Sequence, residues 1–111
     1  MRRGDIVTVA AGSGFGGKPR PALVIQDDAY LHISTVLIAL ISSDDRAARL
    51  SVSVTVDPTA VNGLRTRSYV MVHELVTVRI EKLDNHIGVL EDVLLRRVNR
   101  ALIMFMGLDR A

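Results

Sequence analysis

The sequence predicts a mainly-β fold, a small barrel of short strands with one C-terminal α-helix. Short apolar, β-branched runs recur along the first three quarters of the chain, bounded by Gly, Pro, Asn and Asp. After Asp92 the apolar period lengthens from that of a strand to that of a helix. The 111 residues suit a single domain, 1–111, with enough apolar side chains (49%) to fill a core.

The elements follow in order. Residues 5–10 carry Ile6, Val7 and Val9 and form a first strand. A glycine-rich connection, Gly-Ser-Gly-Phe-Gly-Gly, leads to a second strand at 22–26. Residues 34–42 are nearly all apolar and read as a strand buried on both faces. Residues 50–56 alternate, with Leu50, Val52, Val54 and Val56 on one face and Ser51, Ser53 and Thr55 on the other, which marks a half-buried strand. Asp57-Pro58 ends it, and Asn62-Gly63 signals a turn. Residues 68–73 make a fifth strand, 75–80 continue it or pair with it, and Asp84-Asn85 turns again. In the helix, Leu94, Val98, Ala101, Leu102 and Phe105 share one face, while Arg96, Arg97 and Arg100 fall largely outside it. Gly107 is the stop signal. Met104-Phe105-Met106 is more apolar than a free end requires, so it closes the core or a dimer interface.

Composition narrows the chemistry. Without cysteine there is neither a disulfide nor a thiol nucleophile. No segment reaches membrane-spanning length, and the charged Met-Arg-Arg-Gly-Asp start lacks the apolar stretch of a signal peptide. A cytoplasmic protein with no membrane partner is expected. The net charge of +2 implies no strong overall field, but only Lys18 and Lys82 are lysines among 14 basic residues. Arginine is the better partner for phosphate and base edges. His32, His73 and His86 lack zinc-type spacing, and the adjacent pairs Asp27-Asp28 and Asp44-Asp45 would point to opposite faces of a strand. Neither a metal nor another cofactor is expected.

The segment Lys18-Pro19-Arg20-Pro21 stands out. Gly12, Gly14 and Gly17 satisfy a bare G-x-G-x-x-G, but a strand rather than a helix follows. Residues 12–18 also spell G-x-x-x-x-G-K, but Pro19 stands where a phosphate-binding loop needs Ser or Thr. A residue before proline is pushed into extended geometry, so Arg20 is held on a stiff backbone. Its planar guanidinium suits a phosphate or a carboxylate gripped through two parallel hydrogen bonds.

Four segments then occur in a telling order: Arg3-Gly4-Asp5-Ile6-Val7; Lys18-Pro19-Arg20-Pro21-Ala22-Leu23-Val24-Ile25-Gln26; Ala39-Leu40-Ile41-Ser42-Ser43; and Ile87-Gly88-Val89-Leu90 followed by the amphipathic helix to Gly107-Leu108. Together they resemble the MazF/PemK family of toxin endoribonucleases from toxin–antitoxin pairs, over almost the whole chain. The resemblance implies an SH3-like barrel of the CcdB/MazF type and a homodimer. It implies sequence-specific, metal-independent cleavage of single-stranded RNA, leaving a 2′,3′-cyclic phosphate and a 5′-hydroxyl. It also implies a cognate antitoxin whose acidic, disordered tail blocks the RNA groove.

By the same resemblance Arg20 and Ser42 are the catalytic pair, Ser42 standing where the family has threonine. Phe15, Gly17 and Lys18 from the loop over the groove, and Ser43 beside Ser42, are the implied RNA contacts. The family's glutamate in the first loop is missing, and Glu74 replaces a glutamine common in the fifth strand. Arginine is a poor proton acceptor at neutral pH, so His73 and Glu74, with His32 behind them, are the candidates for the general base or for a base contact. Two other readings stay open: a gyrase poison of the CcdB kind, and a barrel that binds RNA without cutting it.

Overall fold

Alternation of apolar side chains along the strands supplies two cores, one on each face of a single sheet. The computed structural model describes residues 1–10 and 18–110. It contains β1 (Asp5–Val9), β2 (Arg20–Val24), β3 (Thr35–Ser42), β4 (Ser53–Val56), β5 (Ser68–Arg79), β6 (Leu83–Val89) and α1 (Asp92–Met106). Short 3₁₀ turns sit at Asp28–Tyr30, Asp45–Arg49 and Ile80–Lys82. All ladders are antiparallel, in the order β4-β5-β3-β2-β1-β6. Among the described residues no helix is long and apolar enough to cross a membrane.

The mainly-β fold with its C-terminal helix is as the sequence reads. The sheet, however, is open: β4 and β6 are its outer strands, and no described ladder joins them. One core gathers Ile6, Leu23, Ala39, Ile41, Val54, Val56, Val70 and Val72 under Val98 and Ala101 of α1. The other gathers Val7, Val9, Ala22, Val24, Val36, Ile38 and Val78, with Leu83 of β6 packed against it. β5 and β6 lie four places apart in the sheet, so their meeting in one core requires the sheet to curl toward that face. The curl is barrel-like although the ladder does not close.

Several local expectations are met. Asn62-Gly63 is a turn, Gly63 having φ +69°, and the buried Asn62 amide organises it. Its Oδ1 accepts from the Thr59 and Leu64 N–H groups at 3.0 Å each, and its Nδ2 donates to the Asp57 carbonyl at 2.9 Å. Gly107 ends α1 in the left-handed region, its N–H and that of Leu108 donating back to the carbonyls of Met104 and Ile103. Asp27 and Asp44 each cap a 3₁₀ turn.

Other expectations are corrected. Asp84-Asn85 does not turn but lies inside β6, and the turn is made earlier by Ile80–Lys82. β6 is an outer strand, so its polar residues face solvent without penalty. The alternation of 50–56 becomes a strand only from Ser53, with Leu50 left 44% exposed. Of the two arrangements open for residues 75–80, the structure takes the first: they continue the fifth strand as far as Arg79. Phe105 does not join the buried face of α1, and Met104-Phe105-Met106 does not close the core: all three side chains are about half exposed.

Candidate active site

Register brings the site together. β2 and β3 are antiparallel with Ala22 opposite Leu40, where their ladder ends; carried two residues further, that register sets Arg20 across from Ser42. Opposed residues project from the same face of a sheet. On the next strand Met71 lies opposite Leu40, and Tyr69 opposite Ser42. A cleft of about 260 Å³ opens here, lined by Arg20, Leu40, Ile41, Ser42, Met71 and Glu74. Leu40 and Met71 give it an apolar floor, Ile41 borders it while its side chain packs into the helix-side core, and Arg20, Ser42 and Glu74 supply its polar groups.

Arg20 is the first residue of β2 and exposed, with Pro19 and Pro21 fixing the backbone on either side. Ser42 is the last residue of β3. Its Oγ accepts a hydrogen bond from the Asp44 N–H at 3.0 Å, so the hydroxyl hydrogen is directed elsewhere. Asp44 in turn accepts from the Arg46 N–H at 2.9 Å and from its guanidinium at 2.6 Å. That guanidinium holds the Asp44 carboxyl down at about 2, and the ion pair offsets the charge of the acid two residues after Ser42. The phenol of Tyr69 donates to Asp45 Oδ1 at 2.8 Å, and this bond, helped by burial, raises its pKa. Both contacts pin the turn that follows Ser42.

Glu74 arrives by an irregularity. In the β3–β5 ladder Leu40 pairs with Met71, yet Ala39 pairs with Leu75. Val72, His73 and Glu74 are therefore extra residues on β5, and such bulges re-aim side chains. Val72 enters the helix-side core, whereas Glu74 is half exposed and lines the cleft. The His73 ring lies between, with Nε2 3.8 Å from Glu74 Oε1. Its Nδ1 is buried without a hydrogen-bond partner among the described residues. The Nε2–Oε1 separation is longer than a hydrogen bond, so the ring stands against the Glu74 carboxylate without being tied to it.

With this geometry in view, residues 2–106 match the family described as PemK-like, MazF-like toxin of type II toxin–antitoxin system. The chain belongs to this family. It is 38% identical over 108 residues to the probable endoribonuclease MazF of Mycolicibacterium smegmatis, spanning 97% of this chain and 98% of that one. It is 29% identical over 113 residues to endoribonuclease EndoA of Bacillus subtilis, spanning 97% and 96%. A solved mycobacterial endoribonuclease in complex with its cognate antitoxin has the same fold, with a TM-score of 0.80 at 21% identity over 97% of this chain and 96% of that one.

In this MazF-like toxin the structure gathers only some of the residues that the sequence singled out. Arg20, Ser42 and Glu74 share the cleft, with His73 behind Glu74. Lys18 and Ser43 are exposed nearby in sequence but do not line it, and Phe15 and Gly17 lie outside the described residues. His32 is exposed in the turn after Asp28–Tyr30, its Nδ1 3.0 Å from the Ala29 carbonyl, away from the cleft. His86 sits on β6 beside Asp5 at 3.5 Å. Arg97 and Arg100, without Arg96, line a second cleft of about 330 Å³ against Ser51, Ser53 and Thr55. Sequence reasoning missed the apolar floor, because Leu40 and Met71 read as ordinary strand residues until the register joins them.

Proposed function

We propose that this toxin is a metal-independent endoribonuclease that cuts single-stranded RNA, with Arg20 and Ser42 acting on the scissile phosphate. The observation that carries the reading is the opposed Arg20–Ser42 pair beside an open cleft, in a chain of the MazF-like family. The endoribonuclease names of its relatives agree with it.

Attack of the ribose 2′-oxygen on the adjacent phosphorus gathers negative charge on the phosphate oxygens. Two parallel N–H groups of the Arg20 guanidinium stabilise that charge, and more strongly in the transition state than in the ground state. The Ser42 hydroxyl, its lone pair already engaged by Asp44, donates a further hydrogen bond to the same oxygens. The bond to the 5′-oxygen breaks, leaving a 2′,3′-cyclic phosphate and a 5′-hydroxyl. The apolar floor seats the adjoining nucleotide, and Phe15, Gly17, Lys18 and Ser43 complete the RNA contacts.

The same reading supplies the partners. A cognate antitoxin with an acidic, disordered tail covers the cationic site, and toxin and antitoxin act in the cytoplasm. The toxin is a homodimer, supported by exposed Ile103, Met104, Phe105, Met106 and Leu108 at the end of α1. Purified protein and its Arg20→Ala variant, incubated with a varied pool of single-stranded RNA in excess EDTA, test the nuclease. The wild type should cut and yield cyclic-phosphate ends, and the variant should be slower by roughly a hundredfold or more. An intact RNA pool, or equal cutting by both proteins, would overturn the reading; trapped gyrase complexes with intact RNA would replace it with that of a gyrase poison.

A further inference from the structure

We infer that Glu74 takes the proton of the attacking 2′-hydroxyl and that His73 is a positioning residue for the Glu74 carboxylate; this rests on the nuclease reading above. The reaction needs a proton acceptor beside the phosphate clamp. A guanidinium stays protonated at neutral pH, and a serine hydroxyl is a weak base. Among the described residues lining the cleft, that leaves Glu74 as the ionisable side chain able to accept.

Its placement suits the task. The three-residue insertion leaves the ladder between Ala39 and Leu40, one step along the sheet from the Arg20–Ser42 row. Two residues along a strand span roughly 6.6 Å, so Glu74 stands at one end of the apolar floor and the clamp at the other. A ribose seated across that floor carries its 2′-oxygen toward Glu74 and its phosphate toward Arg20 and Ser42. The missing glutamate in the first loop, Gly-Ser-Gly-Phe-Gly-Gly, removes the other obvious source of a carboxylate.

His73 is not the acceptor. Its Nδ1 is buried without a hydrogen-bond partner among the described residues, its Nε2 stands 3.8 Å from Glu74 Oε1, and the ring does not line the cleft. Standing on the Oε1 side of the carboxylate, the ring narrows the orientations that Glu74 can take. Among the described residues, the ionisable groups near Glu74 are His73 from its own strand and Arg20 across the cleft from β2, while β3 lends the cleft the Ser42 hydroxyl.

In the step, the 2′-hydroxyl proton passes to the Glu74 carboxylate and the 2′-oxygen forms the new bond to phosphorus. The P–O5′ bond breaks, and the 5′-oxygen keeps the electron pair and takes a proton from water. Glu74 then returns its proton to solvent.

Single-turnover cleavage against pH tests this, using wild type, Glu74→Gln, Glu74→Asp, His73→Leu and His73→Gln. Binding of the same RNA with a 2′-deoxy residue at the cut site is measured in parallel. Glu74→Gln should lose about a hundredfold to ten-thousandfold in rate and lose the acid limb of the profile, while binding the 2′-deoxy RNA as the wild type does. Glu74→Asp should keep the acid limb. His73→Leu should be slow, and His73→Gln, which keeps a polar group near the Nε2 position, should recover part of the rate. Glu74→Gln retaining the wild-type rate and acid limb would overturn the proposal. So would a changed cut-site sequence with the acid limb intact, which would make Glu74 a nucleobase contact, or loss of 2′-deoxy RNA binding. A wild type unable to cut RNA would instead remove the nuclease reading itself.

Discussion

Replacing Ser42 by alanine separates the two roles of one hydroxyl. As acceptor, Oγ takes the Asp44 N–H at 3.0 Å. That bond lies at an exposed turn, where water can take its place, so its loss should cost less than about 1 kcal/mol of stability. The turn keeps its other anchors, the Asp44 cap on the Arg46 N–H and the 2.8 Å bond from Tyr69 to Asp45. As donor to the transition state, the hydroxyl is one of a small set aimed at the phosphate. Removing one such donor costs about 2.7–4 kcal/mol of activation free energy, a hundredfold to thousandfold in rate. Ser42→Ala should therefore melt near the wild type yet cleave a dual-labelled RNA at least a hundredfold more slowly in single turnover. Ser42→Thr keeps the hydroxyl and adds a methyl group that a strand accommodates well, so it should restore most of the rate. Ser42→Ala cutting as fast as the wild type would refute the donor role. A rate loss matched by a collapse of the melting temperature would show the hydroxyl to be structural.

Two further outcomes are expected. Hydrogen bonds from the Thr59 hydroxyl at 2.7 Å and then from Asn62 hold the Glu91 carboxyl below its ordinary range. A carboxyl whose folded pKa is depressed stabilises the fold above its unfolded pKa, and that contribution is lost as pH falls through the folded one; melts of wild type and Glu91→Gln should differ at neutral pH and converge in acid. Phe105→Asp, at a side chain 49% exposed, should leave the fold intact and shift sedimentation from dimer to monomer; an unchanged dimer would place the interface elsewhere.

Much of the fold is legible because it rests on local rules. Alternation around Val54 and Val56, the Asn62-Gly63 turn and the Gly107 stop each depend on a few adjacent residues. β6 escaped because an outer strand need not alternate: Asp84, Asn85 and His86 look like a turn when one flank is assumed to be buried. The reach of α1 was misjudged for a related reason. Its apolar stripe continues past the end of the core, and periodicity does not say where the core stops. At the site, a guanidinium on a stiff proline-flanked backbone was visible from Arg20 alone. That Ser42 lies opposite it depends on a strand pairing between residues far apart in the chain, which only the resemblance suggested beforehand. The insertion at Val72, His73 and Glu74 left no local signal beyond a polar break in an apolar run.

That break has a consequence for how such a scaffold can change over evolutionary time. Regular pairing resumes on both sides of it, at Met71 and at Leu75, and only Val72 is committed to a core. Two neighbouring positions can accordingly be exchanged without retuning the rest of the sheet, while the proline-bound arginine on β2, two strands away, stays where it is. One wall of the groove is an interchangeable cassette and the other a fixture, which would let kindred enzymes diverge in acidity preference or target word while keeping a common way of gripping the strand they cut.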